Sequence, residues 1–284
     1  RQVLDFPSLT GAATPELQPQ RRDTMHKQTP EWIDLFHTCF GPKGLVALAW
    51  WLGAMHAKRI RDLQGSYPFL LVDGDTGVGQ DSLIATLWRL TGQPNAQNVT
   101  PETHTKTALM VRLFNSDNLP VVLEPATHFD WDMLKPLFNN CSFSVHDGVS
   151  VSSTYESAIA IVGRADGSPA FASRVVNLKQ EQVGVNTQRS TALQALGTYC
   201  ENQFAVPHHR QDLVAYSLGK TGHYISALHD DMGDSLDART ALNHAQILAL
   251  LDALNSLYDL PDQAHTNAHC EVWDMAWRRV QLPF

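Results

Sequence analysis

The chain has 284 residues, 43% of them hydrophobic and 18% charged, with a formal net charge of −8. That is enough for one good core and a smaller helical appendage, and it offers no global basic field for nucleic acid or membrane, so any DNA contact has to come from a local patch. No apolar run is long enough to span a bilayer, since ALAWWLGAM (47–55) is short and lies beside Lys58, Arg59 and Arg61.

Cys39, Cys141, Cys200 and Cys270 are scattered without a CxxC spacing, which reads as free thiols of a cytoplasmic protein and not as a disulfide framework. No secretory leader pattern is present. The chain opens at Arg1, which reads as a segment of a longer polypeptide.

Residues 1–30 are rich in Pro, Thr, Gln and Gly and read as a linker or arm. Residues 31–64 read as helical: Leu45, Leu48, Leu52, Met55 and Leu63 recur near a 3.6 period, with Lys58, Arg59, Arg61 and Asp62 on the polar side. Residues 67–72 form an apolar strand that runs into a glycine-rich turn and then a helix over 82–90. A helix is expected over 103–115, a buried strand in NLPVVLE (118–124), and a helix over 129–138 capped by Asp130 or Asp132. CSFSVHDGVSVSSTY (141–155) alternates around an Asp147-Gly148 turn and predicts a hairpin. AIAIVG (158–163) and RVVNL (174–178) are further strands, and from about 187 the pattern is helical, including 238–258 and 262–279. Alternating strands and helices predict an α/β layered core with a largely parallel sheet over 31–185 and a helical subdomain over 186–284.

The segment PFLLVDGDTGVGQDSLIATLWRL (68–90) carries the chemistry. A strand, a glycine turn and a helix N-terminus together leave backbone N–H groups aimed at one spot, where the helix dipole favours an anion. The phosphate loop of P-loop NTPases has the form G-x-x-x-x-G-K-[ST]. Here Gly74, Asp75, Thr76, Gly77, Val78 and Gly79 supply the cradle, but Gln80 stands at the lysine position and Asp81 at the Ser/Thr position, with Ser82 one residue later. Gln80 donates without charge. An Asp81 carboxylate about 4 Å from a phosphate would be repelled by roughly 4 kcal/mol at an effective dielectric near 20, unless Asp81 ligates Mg²⁺ directly. The pattern fits both a weakened nucleotide site and a glycine turn that holds none.

Several segments in order resemble one family. GLVALAWWLG (44–53), YPFLLVDGDTGVGQDSLIATLWRLTG (67–92), NLPVVLE (118–124), FDWDMLKPLFN (129–139), TYESAIAIVG (154–163), ASRVVNL (172–178) and ALNHAQILALLDAL (241–254) resemble the helicase-like domains of primase–helicase replication proteins from phages, plasmids and integrated elements. Those domains are P-loop ATPases similar to superfamily three helicases of the AAA+ class. The resemblance implies ATP and Mg²⁺ as ligands, a homo-oligomeric (hexameric) ring, and DNA as a partner. It implies Glu124 as the acidic residue that positions metal and water, and Arg174 as an arginine finger. Glu124 and Arg174 each also fit an ordinary surface role. The γ-phosphate sensor position falls on Gly163-Arg164, without the usual asparagine. The hairpin at 141–155 stands where the family grips DNA, yet it offers His146 and Asp147 and no Lys or Arg, a second departure that points to a degenerate relative; the alternatives are a different hairpin register, or DNA contacts from other loops such as Lys106 or Lys179. The expected function is a helicase-like domain with weakened nucleotide binding and lost hydrolysis; the alternative is a non-enzymatic assembly module on the same fold. Were Gln80 and Asp81 engineered changes, reverting both would restore activity.

His265, His269 and Cys270 stand at i, i+4 and i+5, and a metal there would need a further ligand such as His208 or His209; chance spacing among 13 histidines is the competing reading. Trp50, Trp51, Trp88 and Trp131 read as core, Trp273 and Trp277 as packing on one face of the last helix, and Arg278 and Arg279 as suited to its dipole.

Overall fold

A computed structural model describes residues 29–74, 78–146, 150–179, 187–199, 203 and 209–281. The expected arm therefore lies almost wholly outside the described residues. In chain order the elements are α1 (Glu31–Ala54), α2 (Ala57–Gln64), β1 (Phe69–Asp73), α3 (Val78–Leu90), α4 (Lys106–Phe114), β2 (Val121–Leu123), β3 (Ser142–His146), β4 (Ser150–Thr154), β5 (Ile159–Val162), α5 (Pro169–Ala172), β6 (Val175–Lys179), α6 (Thr187–Tyr199), α7 (His209–Leu218), α8 (Thr221–Met232), α9 (Ala238–Tyr258) and α10 (Asp262–Gln281), with 3₁₀ turns at Pro101–Thr103, Trp131–Phe138 and Gly233–Ser235.

Among the described residues, four strands form one sheet in the order β2-β5-β1-β6, and every neighbouring pair is parallel. The strands are short apolar runs because both faces are covered. Alternation assigns the faces. Leu70, Val72, Val122, Ala160, Val162, Val176 and Leu178 point into one core, shared with α1, α3, α9 and α10. Phe69, Leu71, Val121, Leu123, Ile159, Ile161 and Val175 point into the other, closed by Leu109 and Leu113 of α4, by Trp131, Leu134, Leu137 and Phe138, and by Phe171. This is a helix-rich α/β fold: a parallel sheet with helices before it in the chain and helices after it. The β3–β4 hairpin pairs antiparallel from Ser142–Thr154 to His146–Ser150; its expected Asp147-Gly148 turn lies outside the described residues.

α1 departs from a simple amphipathic helix. Gly41 sits at φ +61° ahead of Pro42, a residue pair that cannot continue an α-helix smoothly, and the helix breaks there. From Gly44 to Ala54 it is buried on all sides. Gly53 lets it approach its neighbours: a Cβ there would stand 2.4 Å from the Tyr67 hydroxyl and 2.5 Å from Leu250 Cδ1. Trp50 and Trp51 are fully buried, as expected, and the Trp50 indole donates to the Pro68 carbonyl at 2.9 Å.

Two expectations on polar residues are corrected. Arg61 is not on the polar side but 1% exposed, whereas Leu63 is 51% exposed. Asp130 and Asp132 do not cap the 131–138 turn: no side chain caps it, and Asp132 accepts instead from the Ser168 hydroxyl at 2.7 Å. Arg278 and Arg279 do stand in the last turn of α10, as expected, and they also make contacts: Arg278 pairs with Glu271 at 2.7 Å, and Arg279 donates to the carbonyls of Ala172 and Val175. Trp273 and Trp277 do share a face, and both indoles donate to Asp231 of α8, at 2.7 and 3.0 Å. The helices after 186 pack into the same core as α1, and buried Gln246 fastens α9 to the approach to β1 by donating to Gln64 Oε1 and to the Ser66 carbonyl, each at 2.9 Å.

Candidate functional site

All four strands of the sheet point the same way, so their C-terminal ends share one edge. In open parallel sheets, ligands sit in the crevice beyond that edge. β1 ends at Asp73 and runs into Gly74, which is half-buried. Asp75, Thr76 and Gly77 lie outside the described residues. α3 begins at Val78, so Gly79 and Gln80 belong to its first turn; the Gln80 side chain is outside the described residues. The strand before the glycine turn and the helix after it, both read from the sequence, are therefore observed.

Asp81 is exposed in the first turn of α3, and Ser82 is half-buried beside it. A carboxylate in the first helical turn sits favourably against the N-terminal dipole. The same carboxylate competes for the positive potential that would otherwise hold a phosphate. The helix thus carries its own anion where a P-loop normally presents a hydroxyl.

Glu124 follows β2 on the same edge, separated from β1 by one strand, β5. Its backbone N–H donates to the Val99 carbonyl at 2.9 Å, and its carboxylate accepts from the Thr100 hydroxyl at 2.5 Å. Thr100 was not singled out in the sequence, and nothing there marks it: Val99 bridges to Leu123 and brings it alongside. Two residues on, Glu102 accepts from the His128 N–H at 2.8 Å and the Thr127 hydroxyl at 3.3 Å, which ties the 100–104 segment to the loop after β2.

Gly163 closes this edge from the β5 side. Its N–H donates to the Val72 carbonyl at 2.9 Å, and its φ of +85° is glycine territory. An added Cβ would stand 2.7 Å from Pro125 Cγ, next to Glu124. Gly163 thus serves as a tight backbone junction, and Arg164 beyond it is exposed. Gly163→Ala is expected to cost about 2 kcal/mol through positive φ and overpacking together. Urea unfolding of the two proteins measures this; equal midpoints would contradict the junction.

Arg174 stands elsewhere, before β6 and hence at the opposite edge of the sheet. Its guanidinium donates to the Ala170 carbonyl of α5 and lies 5.5 Å over the Phe138 ring. Partial burial lowers its pKa, Arg239 nearby adds to that, and Asp132 opposes it. Of the alternative DNA-facing lysines, Lys106 pairs with Asp130 at 3.2 Å and Lys179 is exposed at the end of β6.

His265 and His269 do share one face of α10, as the i, i+4 spacing requires. The third group beside them is Asp252 of α9, which was not foreseen. His208 lies outside the described residues, as does the side chain of His209, and Cys270 is exposed. An open groove lined by Lys43, Glu271, Asp274, Trp277, Arg278 and Gln281 lies between α1 and α10 and includes none of the candidate residues.

No helix among the described residues is long and apolar enough to cross a membrane. No family model matches the sequence, and no curated protein matches it. Among solved structures, the fold is similar to one titled "SCCmec type IV Cch - active helicase", with a TM-score of 0.64 at 14% sequence identity, over 88% of this chain and 50% of that one. The chain spans about half the length of that helicase. The class defined is a helicase-like α/β fold. At that identity, the likeness is one of fold.

Proposed function

We propose that this chain is a helicase-like domain of a mobile-element or phage replication protein in which nucleotide binding is weakened and hydrolysis is lost. The observation that supports this reading is that Gly74 and Glu124 each follow a strand at one edge of a parallel sheet, with Asp81 in the first turn of α3. Backbone amides at the bend would hold the phosphates of ATP. Gln80 would add a neutral contact, while Asp81 and Glu124 would be the groups left to meet Mg²⁺. Nothing at Gln80 neutralises the β- and γ-phosphates as a lysine would. A ring of like subunits is the assembly this class implies, with Arg174 as the group that would reach a neighbour.

The second reading, a protein–protein platform that binds no nucleotide, is favoured by one observation: the Glu124 carboxylate is already engaged by Thr100. Thermal unfolding with ATP and Mg²⁺ separates the two. With a Kd near 1 mM, about 5 mM nucleotide stabilises by about 1 kcal/mol, a rise of about 2 °C in Tm. The double substitution Gln80→Lys with Asp81→Thr restores a cation and removes a repulsive carboxylate, and at least doubles that rise. No rise in either protein supports the platform and ends the nucleotide reading.

A further inference from the structure

Asp252, His265 and His269 offer three ligand atoms within 4.8 Å of one another. α9 and α10 pack together, and the two histidines project from successive turns of α10 toward the middle of α9. Each Nε2 lies 3.3 Å from Asp252 Oδ1. The imidazole centroids are 4.4 Å apart. Both Nε2 atoms are shielded from solvent, and neither is aligned for a hydrogen bond. Two ring nitrogens therefore converge on one carboxylate oxygen.

The other carboxylate oxygen is fully engaged. Asp252 Oδ2 accepts from the Tyr224 hydroxyl at 2.7 Å and from the Lys220 ammonium at 3.0 Å, both from α8. These contacts fix the carboxylate with Oδ1 turned to the imidazoles, as outer partners fix the ligands of known metal centres. The cluster offers a carboxylate and two imidazoles.

We propose that Asp252, His265 and His269 form a binding site for a divalent transition-metal ion of the Zn²⁺ type. In a tetrahedral zinc site with bonds of 2.0–2.1 Å, neighbouring ligand atoms are about 3.3 Å apart. Two of the three separations here already have that value. Imidazole with a single carboxylate suits Zn²⁺, Co²⁺ or Ni²⁺ and not Mg²⁺ or Ca²⁺. Three protein ligands leave the fourth position to water. The ion would clamp α10 onto α9 at a place remote in sequence from the glycine bend, so the site stands or falls independently of the nucleotide reading. Lys220 opposes the ion through its charge, and at 45% side-chain exposure it can turn to solvent.

The test uses the full chain stripped with EDTA. Titration with Zn²⁺, and with Co²⁺ followed by its visible absorption, is expected to show one tight equivalent, a tetrahedral Co²⁺ spectrum and a raised Tm, with no response to Mg²⁺. His265→Gln and His269→Gln are each expected to weaken binding by at least about tenfold. Unchanged Zn²⁺ affinity in both histidine variants would overturn the proposal by placing the metal among the other histidines, and so would the absence of any tight equivalent. Should a variant fail to fold, X-ray absorption of the zinc-loaded wild-type chain decides. Two imidazoles with oxygen ligands support the site; sulfur, or fewer imidazoles, overturns it.

Discussion

Replacing Arg61 by alanine is expected to destabilise the fold by about 4 kcal/mol. The guanidinium is 1% exposed, with no carboxylate in hydrogen-bonding contact. It donates to the Tyr155 carbonyl at 3.4 Å and to the Ser157 carbonyl at 2.5 Å, and lies 4.8 Å over the Tyr155 ring. Its charge is kept in spite of burial, which lowers its pKa. Removing it leaves two carbonyls without a donor, at about 1–3 kcal/mol each, and opens a cavity under α2. Arg61→Met keeps most of the stem but not the donors, so it is expected to recover only part of the loss. Arg61→Lys keeps the charge but not the fork that reaches both carbonyls, and should fall between the wild type and alanine. Urea unfolding of the four proteins measures the series. A loss below about 1 kcal/mol for alanine would show that α2 and the 155–158 segment are held together by other contacts.

Arg61 also shows what sequence reading could not reach. The strands were legible because each is a short apolar run between turn residues, and alternation then distributes Phe69, Leu70, Leu71 and Val72 between two cores. The bend after β1 was legible because glycine spacing there is local. Arg61 looked polar because its neighbours Arg59 and Asp62 are; the carbonyls that bury it lie more than 90 residues away. Asp252 was invisible for the same reason, since its partners come from α8 and α10. Thr100 reaches Glu124 only through the Val99–Leu123 bridge. Asp132 was a reasonable cap by position, but Ser168, which it meets instead, is 36 residues on. The candidate site divides along the same line. Its backbone frame is a local pattern, while the contacts that occupy Glu124 and close Gly163 against Pro125 are tertiary.

The fold is expected to lose about 3 kcal/mol between pH 6.5 and pH 4 through His244 alone. The imidazole is fully buried on α9, with Nδ1 2.7 Å from the Thr240 carbonyl and Nε2 without a partner. Burial pushes its pKa from 6.5 down to about 4; the Thr240 carbonyl and Asp237 pull it up, while Arg279 and Arg278 push it down. The neutral tautomer that fits has Nδ1–H donating to Thr240, so the orphan Nε2 is the lone pair, and a proton arriving there would be a buried, unpaired charge. Between pH 6.5 and 4 the unfolded chain binds a proton at this position that the folded chain refuses. Stability therefore rises with pH across that window and is fully present above 6.5. A fall of about 2.5 in pKa corresponds to about 3 kcal/mol at the acid end, and to about 2 kcal/mol already at pH 5. His37 and His56, both lowered by burial, add slopes of the same sign. Carboxylates held by partners in the fold also lose stability in acid, so the diagnostic quantity is a difference between proteins. Asparagine can place its amide N–H where Nδ1–H stands, and it does not titrate. His244→Asn should therefore be less stable than the wild type at pH 7, with a pH dependence flatter by about 2 kcal/mol down to pH 5. Urea unfolding in EDTA buffers at both pH values, which removes any metal linkage through His265 and His269, gives that difference directly. Parallel pH profiles for the two proteins would mean that water reaches His244 in the folded chain and that α9 is less tightly sealed than its burial implies.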